Sequence, residues 1–174
     1  MAGPSYVASA TLTTTALQSL AADNSTGYPL SGWFSETFTN TTNKYIDYVL
    51  AGKFETHASN RQAGYIYVYL IPSLNDTPLW PASATGTVGT QGAGSFVDTE
   101  ERDSACILLD AIVVDTTASS IVYLKPKSIV SAMGGLIMPP THFSFFVSTN
   151  AVTTTAAALA ATGNALYMTA LSAP

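Results

Sequence analysis

Hydrophobic and polar positions alternate along much of the chain with a period of two, the repeat of a β-strand whose successive side chains point to opposite faces. The clearest run is Gly64 to Ile71, where Tyr65, Tyr67 and Tyr69 alternate with Ile66, Val68 and Leu70. A strand here carries a tyrosine face and an aliphatic face. The aliphatics suit a core; the tyrosines suit a place under a loop, a neighbouring strand or a partner subunit. Pro72 is expected to end the strand, because proline brings no N–H to a ladder. Further strands, rich in aromatic and β-branched residues, are predicted at Tyr6 to Leu12, Trp33 to Thr39, Tyr45 to Glu55, Ala105 to Val114, Ser120 to Leu124, His142 to Ser148 and Ala165 to Leu171.

Turn-forming stretches separate them: Ala22 to Gly32, Asn40 to Asn43, Ser73 to Gly94, Asp115 to Ser119 and Gly134 to Pro140. No segment keeps a period of 3.6 for long, and only brief helical pieces are expected, at Ser128 to Met133 and Ala156 to Ala161. About eight strands with almost no helix predict an all-β fold, an antiparallel β-sandwich with the jelly roll as leading topology. With no internal repeat and no compositional break, residues 1–174 read as a single domain. Residues 1–20 read as an N-terminal arm that pairs with this sandwich or with a neighbouring subunit. The stretch 73–94, with Pro78 and Pro81 early and Gly86, Gly89, Gly92 and Gly94 late, reads as a long loop of the kind that forms a binding element or a mobile arm.

Composition narrows the function classes. A chain of 174 residues can bury a core of its own without disulfide staples. Only 10% of its residues are charged, so neutral polar side chains must cover much of the surface, which suits contact with other protein or a place outside a crowded cytosol. The net charge of −5 lacks the basic footprint that phosphate backbones demand, and nucleic acid is not expected as a partner. The lone Cys106 and two histidines exclude a disulfide framework within the chain and a Cys/His zinc centre, and no cofactor is expected. Met1 to Leu20 carries no Lys or Arg ahead of an apolar run, and the near-neutral Ala151 to Ala173 is broken by Gly163 and Asn164. Neither pattern fits a signal peptide or a membrane span, so no membrane association is expected.

Candidate chemistry is sparse. Cys106 begins an apolar strand and reads as a buried structural thiol. His57 falls beside a turn, His142 opens a Phe-rich strand, and no Gly-x-Ser-x-Gly elbow supplies a nucleophile for either. Asp98, Glu100, Glu101 and Asp103 form the densest charge cluster, a source of oxygen ligands for Ca²⁺ or of a carboxylate pair for glycoside chemistry. With Arg102 inside it and no EF-hand spacing, a solvated loop or a rim salt bridge is the better reading. Sequons occur at Asn24, Asn40 and Asn75, as chance predicts in a Thr-rich chain. The remaining signal is aromatic: Trp33, Tyr45, Tyr48, the stripe of Tyr65, Tyr67 and Tyr69, and Trp80 exceed what two packed faces need. Such residues anchor protein interfaces and stack on sugars. Trp33, Tyr65, Tyr67, Tyr69 and Trp80, together with Asp98, Glu100 and Glu101, are the candidate interaction surface.

Three stretches carry a resemblance. Asn40 to Phe54 (NTTNKYIDYVLAGKF) is similar to an Asn-x-Thr-x-x-Tyr-x-Asp segment with a following Gly-Lys in small virion structural proteins of tailed bacteriophages. Tyr65 to Leu70 (YIYVYL) resembles the extended strand that precedes a long variable loop in those proteins. Lys127 to Asn150 (KSIVSAMGGLIMPPTHFSFFVSTN) resembles their Gly-Gly…Leu-Pro block and the strand after it, with Met133 where an aromatic is common and Ile137 to Pro140 in place of a simple Leu-Pro. The resemblance covers about half the chain in the same order and brings no catalytic residues with it. It implies a non-enzymatic capsid decoration or cement protein on the capsid exterior, bound across major capsid protein subunits and homo-oligomeric, with a trimer favoured. The 73–94 loop, the acidic segment Asp98 to Asp103 and the terminal arms are then the expected contacts. The alternatives are a head-fibre, tail or receptor-binding sandwich that binds carbohydrate and, last, a glycan esterase or lyase.

Overall fold

The computed structural model describes residues 4–7, 10–18, 20, 23, 29–59, 62–73, 75, 77–86, 88–117, 119–135, 139–151 and 158–173. Two antiparallel sheets face each other. The strands are β1 (Ser5–Tyr6), β2 (Ala10–Thr11), β3 (Ser31–Phe34), β4 (Phe38–Thr39), β5 (Asp47–Glu55), β6 (Gly64–Ser73), β7 (Ala84–Thr85), β8 (Gly92–Phe96), β9 (Ile107–Val114), β10 (Ile121–Ser128), β11 (His142–Thr149) and β12 (Ala165–Ser172). Two short α-helices, α1 (Thr99–Ala105) and α2 (Ile129–Ala132), and one 3-10 turn at Thr15–Leu17 accompany them among the described residues.

One sheet has the order β1-β12-β5-β10, with β2 also on β12; the other runs β7-β8-β3-β11-β6-β9, with β4 also on β11. Count β1 with β2 as the first strand and β3 with β4 as the second, and set β7 and β8 aside. The sheets then read first-eighth-third-sixth and second-seventh-fourth-fifth, the strand order of a jelly roll. β7, β8 and α1 belong to an insertion between β6 and β9.

Alternation along each strand builds the core. Leu50 and Phe54 of β5, Ile66, Val68 and Leu70 of β6, Phe143, Phe145 and Val147 of β11, and Leu166 and Met168 of β12 meet between the sheets. The opposite face of the larger sheet is apolar too: Phe34, Tyr67, Tyr69, Ile71 and Phe146 form a second buried cluster with Phe96 and Cys106. β11 is accordingly buried along its whole length. The Phe34, Phe96 and Phe146 rings pack with centroids 4.8 to 5.6 Å apart. Gly32 and Gly94, opposite each other in the β3–β8 ladder, make room for them. A Cβ on Gly32 would meet the Phe146 ring at 2.7 Å, and one on Gly94 the Phe34 ring at 2.5 Å.

Several expectations change. Trp33, expected at the surface, is fully buried between the sheets. Pro72 does not stop β6, which runs on to Ser73 and pairs Pro72 with Phe143. The β9 ladder has already ended at Leu70, so one side of the strand has no partner there and a residue without an N–H is tolerated. The 73–94 stretch is not a free loop, because Trp80, Ala84 and Val88 pack on the second cluster and it contributes β7. The described part of the N-terminal arm pairs with β12 of the same chain. Asp98 to Asp103 is not a loop: it forms most of α1, with Asp98 as N-cap, and the expected salt bridge is present between Arg102 and the exposed Asp103, with its arginine end fully buried. Ser128 caps α2 where a short helix was expected. Of the Ala156 to Ala161 turn, residues 156 and 157 lie outside the described residues, and Leu159 bridges to Thr56.

Candidate functional site

The larger sheet is covered on both sides except toward its β9 edge, where Tyr65, Leu108 and Val113 are exposed, and the outer face of the β1-β12-β5-β10 sheet is the broader uncovered surface among the described residues. Its residues follow from register. Tyr6 lies opposite Leu171, Tyr167 opposite Ala51, Lys53 between Ala165 and Tyr123, and Ile121 opposite Glu55. The partners inside the sandwich, Leu50, Gly52, Phe54 and Leu166, are buried. Tyr6 is 72% exposed, Tyr123 64% and Tyr167 40%, and Ile121 is exposed beside them. Three tyrosines thus stand on three different strands of one face.

A bulge shapes the far side of this face. The β10–β5 register shifts between Leu124, opposite Gly52, and Lys127, opposite Leu50, leaving an extra residue in the Lys125-Pro126 step. Proline is at home there, where the ladder is already interrupted. The result is a shallow hollow of about 370 Å³ lined by Ala51, Lys53, Tyr123, Lys125, Pro126 and Tyr167. Neither Lys53 nor Lys125 has an ion-pair partner among the described residues, whereas Lys127 Nζ is held 3.0 Å from Asp110 Oδ2.

α1 lies on the opposite side of the molecule, because the second cluster it covers is on the outer face of the other sheet. Asp98 Oδ1 accepts from Glu101 N at 2.7 Å, which caps the helix, and Glu100 and Glu101 stand exposed in the first turn, where the helix dipole favours negative charge. Arg102 points the other way. Its Nη1 donates to Pro29 O at 2.9 Å, its Nε and Nη2 donate to Asp103 Oδ1 at 2.8 and 2.6 Å, and its guanidinium sits 5.2 Å from the centre of the Tyr69 ring. Burial beside this group pushes the Tyr69 hydroxyl up to about 12 and the Cys106 thiol up to about 12.

The residues singled out from the sequence therefore divide. Tyr67 and Tyr69 lie under the insertion and cannot serve as a surface, and Trp33 is deeper still. The stripe is real as a ladder of rings, 5.7 Å from Tyr65 to Tyr67 and 6.3 Å on to Tyr69, but only Tyr65 is exposed, at 42%. Trp80 is half-buried as part of the cover. Asp98, Glu100 and Glu101 do come together on α1 at the surface. Cys106 is buried, as read from the sequence. Asn40, within a sequon, is committed to the backbone of Tyr45 and the hydroxyl of Tyr48 and is buried.

The sequence reading missed Tyr6, Tyr123 and Tyr167. Each strand supplies one tyrosine, so nothing along the chain marks the set. The signal was Ile121 and Tyr123 alternating with Val122 and Leu124, and Tyr167 between Leu166 and Met168.

Elsewhere, His57 Nδ1 accepts from Ser59 N at 3.2 Å, and His142 Nδ1 donates to Asn75 O at 2.9 Å, so each histidine serves local structure. Among the described residues no three His, Cys, Asp or Glu side chains gather as a metal site, and no helix is long and apolar enough to cross a membrane. Compared with known proteins, the chain matches no family model, no curated protein and no solved structure.

Proposed function

We propose that the chain is a non-enzymatic structural subunit of a virion, a capsid decoration protein of the tailed-phage type. It acts by binding across adjacent major capsid protein subunits on the capsid exterior and by associating with its own copies. The sequence resemblance supplies the setting. The observation that carries the reading is the uncovered sheet face on which Tyr6, Ile121, Tyr123 and Tyr167 stand exposed. Aromatic residues of this kind anchor protein interfaces, and an exposed cluster of them marks a surface meant for contact. A subunit that binds only the assembled shell stabilises it by mass action.

The test adds purified chain to undecorated phage heads. Wild type is expected to bind, and a Tyr123→Asp/Tyr167→Asp variant to lose binding at least tenfold with its fold intact, since both side chains point to solvent. Equal binding by the variant, or density at a tail or baseplate position in intact particles, overturns the reading. A second reading draws on the hollow between Tyr123 and Tyr167, whose small floor residue Ala51 leaves room for a sugar ring to stack. Glycan-array binding that disappears with Tyr167→Ala, in a chain indifferent to phage heads, would favour it.

A further inference from the structure

Charge along β5 follows an order that is its own complement in reverse. Lys44 stands exposed in the turn ahead of the strand, and Asp47, Val49, Ala51, Lys53 and Glu55 follow at every second position of its outer, half-exposed face. The line therefore reads plus, minus, neutral, neutral, plus, minus; from the other end it reads minus, plus, neutral, neutral, minus, plus. Two copies laid antiparallel set Asp47 of each on Lys53 of the other, with Val49 on Ala51 between them and Lys44 toward Glu55 at the ends. We infer that the open face of the smaller sheet pairs with the same face of a second copy, about a two-fold axis crossing β5 between Val49 and Ala51. The inference rests on reading that face as a protein contact, whose partner it names, and not on the virion setting.

The groups involved are open to such a contact. Lys53 has no ion-pair partner among the described residues. Asp47 Oδ1 accepts from Tyr48 N at 2.7 Å and from Val130 N at 3.0 Å, while its Oδ2 has no partner among them. A two-fold contact uses this acid and this base twice. Glu55 Oε2 lies over Gly163 at the end of the strand, on the rim of the joint. Lys125, in the β10 bulge and level with Ala51, comes over the Ser128 end of the other β10, where the neighbouring Lys127 is already held by Asp110. Two bases and two acids leave the sheet face neutral in a chain of net charge −5, so like faces meet without the repulsion that acidic surfaces bring to one another.

Shape agrees with charge. Sheets of the same twist stack with their strands about 30° apart, and a face that packs on its own copy meets this condition by construction. On β12 the reversed register brings Ala165 to Leu171 and Tyr167 to Thr169, small side chains against large. Val49 comes over Ala51, the small floor residue of the 370 Å³ hollow, and Tyr123, level with Lys53, reaches the start of α2 beside Asp47 of the other copy. Four strands of about eight residues cover about 19 Å by 26 Å, on the order of 1,000 Å² over both copies, which is the lower end of what a specific interface buries. Such a joint closes at two, unlike the trimer expected from the sequence.

The experiment is a charge exchange read by sedimentation of the full chain. Wild type should form a dimer whose mass does not grow further with concentration. Lys53→Glu, which touches no hydrogen bond within the described residues, should weaken the dimer at least tenfold, because acids then face each other at two places. Asp47→Lys should do the same with bases. Mixed in equal amounts, the two variants should form a dimer again, since each altered residue meets its opposite; this recovery also shows that both are folded. Net charge makes a different prediction, because it moves from −5 to −7 in the first variant and to −3 in the second. Association of Asp47→Lys above wild type overturns the inference, as do a Lys53→Glu chain that dimerises like wild type and a wild type that is monomeric, trimeric or open-ended. A monomeric wild type whose Tyr123→Asp/Tyr167→Asp variant still fails to bind phage heads overturns the pairing and leaves the proposed function standing. A dimer indifferent to phage heads does the reverse.

Discussion

Arg102 ties the insertion to the jelly roll. Its guanidinium covers Tyr69, donates to the buried carbonyl of Pro29 and closes on Asp103 with two hydrogen bonds to one oxygen. Arg102→Ala would leave the Pro29 carbonyl unpaired under the insertion and remove the cover from Tyr69, a loss of about 2–4 kcal/mol. The expected result is a lower unfolding midpoint in urea together with early protease cleavage within 77–105. Arg102→Lys should rescue only part of it, because an ammonium cannot donate in both directions as the planar guanidinium does. The neighbouring thiol gives a pH dependence. Cys106 is raised from 9.0 to about 12, and Tyr48 and Tyr69 from 10.0 to about 12, all by burial first. Each group keeps its proton in the folded state at a pH where the unfolded chain has lost it. Their contribution to stability is therefore complete below about pH 9 and falls as pH rises from there toward 12, by about 1.4 kcal/mol per pH unit for each group in its window. Denaturation curves across that range should show the decline, and a thiol reagent near pH 8 should label Cys106 only on unfolding.

At the scale of elements, β9 is the edge of the larger sheet and β10 the edge of the smaller, and the two edges lie side by side. An exposed edge strand with the sequence ILLDAIVV invites pairing with another chain. Asp110 guards it. Its Oδ1 accepts from Ala111 N at 3.0 Å and its Oδ2 holds Lys127, so a backbone donor is occupied and a charge stands in the gap. Asp110→Ala should free that donor and strand Lys127 beside an apolar edge; light scattering on gentle warming should report earlier aggregation than in wild type, with a modest change in midpoint. The same element level shows where the sequence could be read and where it could not. The strands of the jelly roll were legible because Ile66, Val68 and Leu70, or Phe143, Phe145 and Val147, declare a period of two within one segment. The fate of Tyr67 and Tyr69 was not, because a period of two separates the faces of a strand without saying what covers each. α1 was missed for a related reason: seven residues with four charges hold no apolar stripe, and the helix stands on its Asp98 cap and on the inward turn of Arg102.

For the whole molecule, the insertion turns a two-layer sandwich into one whose larger sheet is covered on both sides except toward its β9 edge, and whose smaller sheet is the open one. That asymmetry decides which aromatics are structure and which are surface. Among the described residues the exposed large apolar and aromatic side chains fall mainly in two places, Tyr6, Ile121, Tyr123 and Tyr167 on the open face of the smaller sheet and Tyr65, Leu108 and Val113 toward the β9 edge of the larger one. The candidate site could not be seen in the sequence because it exists only as register between β10, β5, β12 and β1, which are distant along the chain. β11 brings one more consequence, in time. It unites β3, more than a hundred residues earlier, with β6, and both of its faces are buried. Until all three meet, none has a finished surface, and loops must close over long stretches before any contact repays the ordering. Refolding of this chain is thus governed by the search for one strand's two neighbours, on a scale of milliseconds to seconds, and a ribosome must have delivered His142 to Thr149 before the sandwich can close at all.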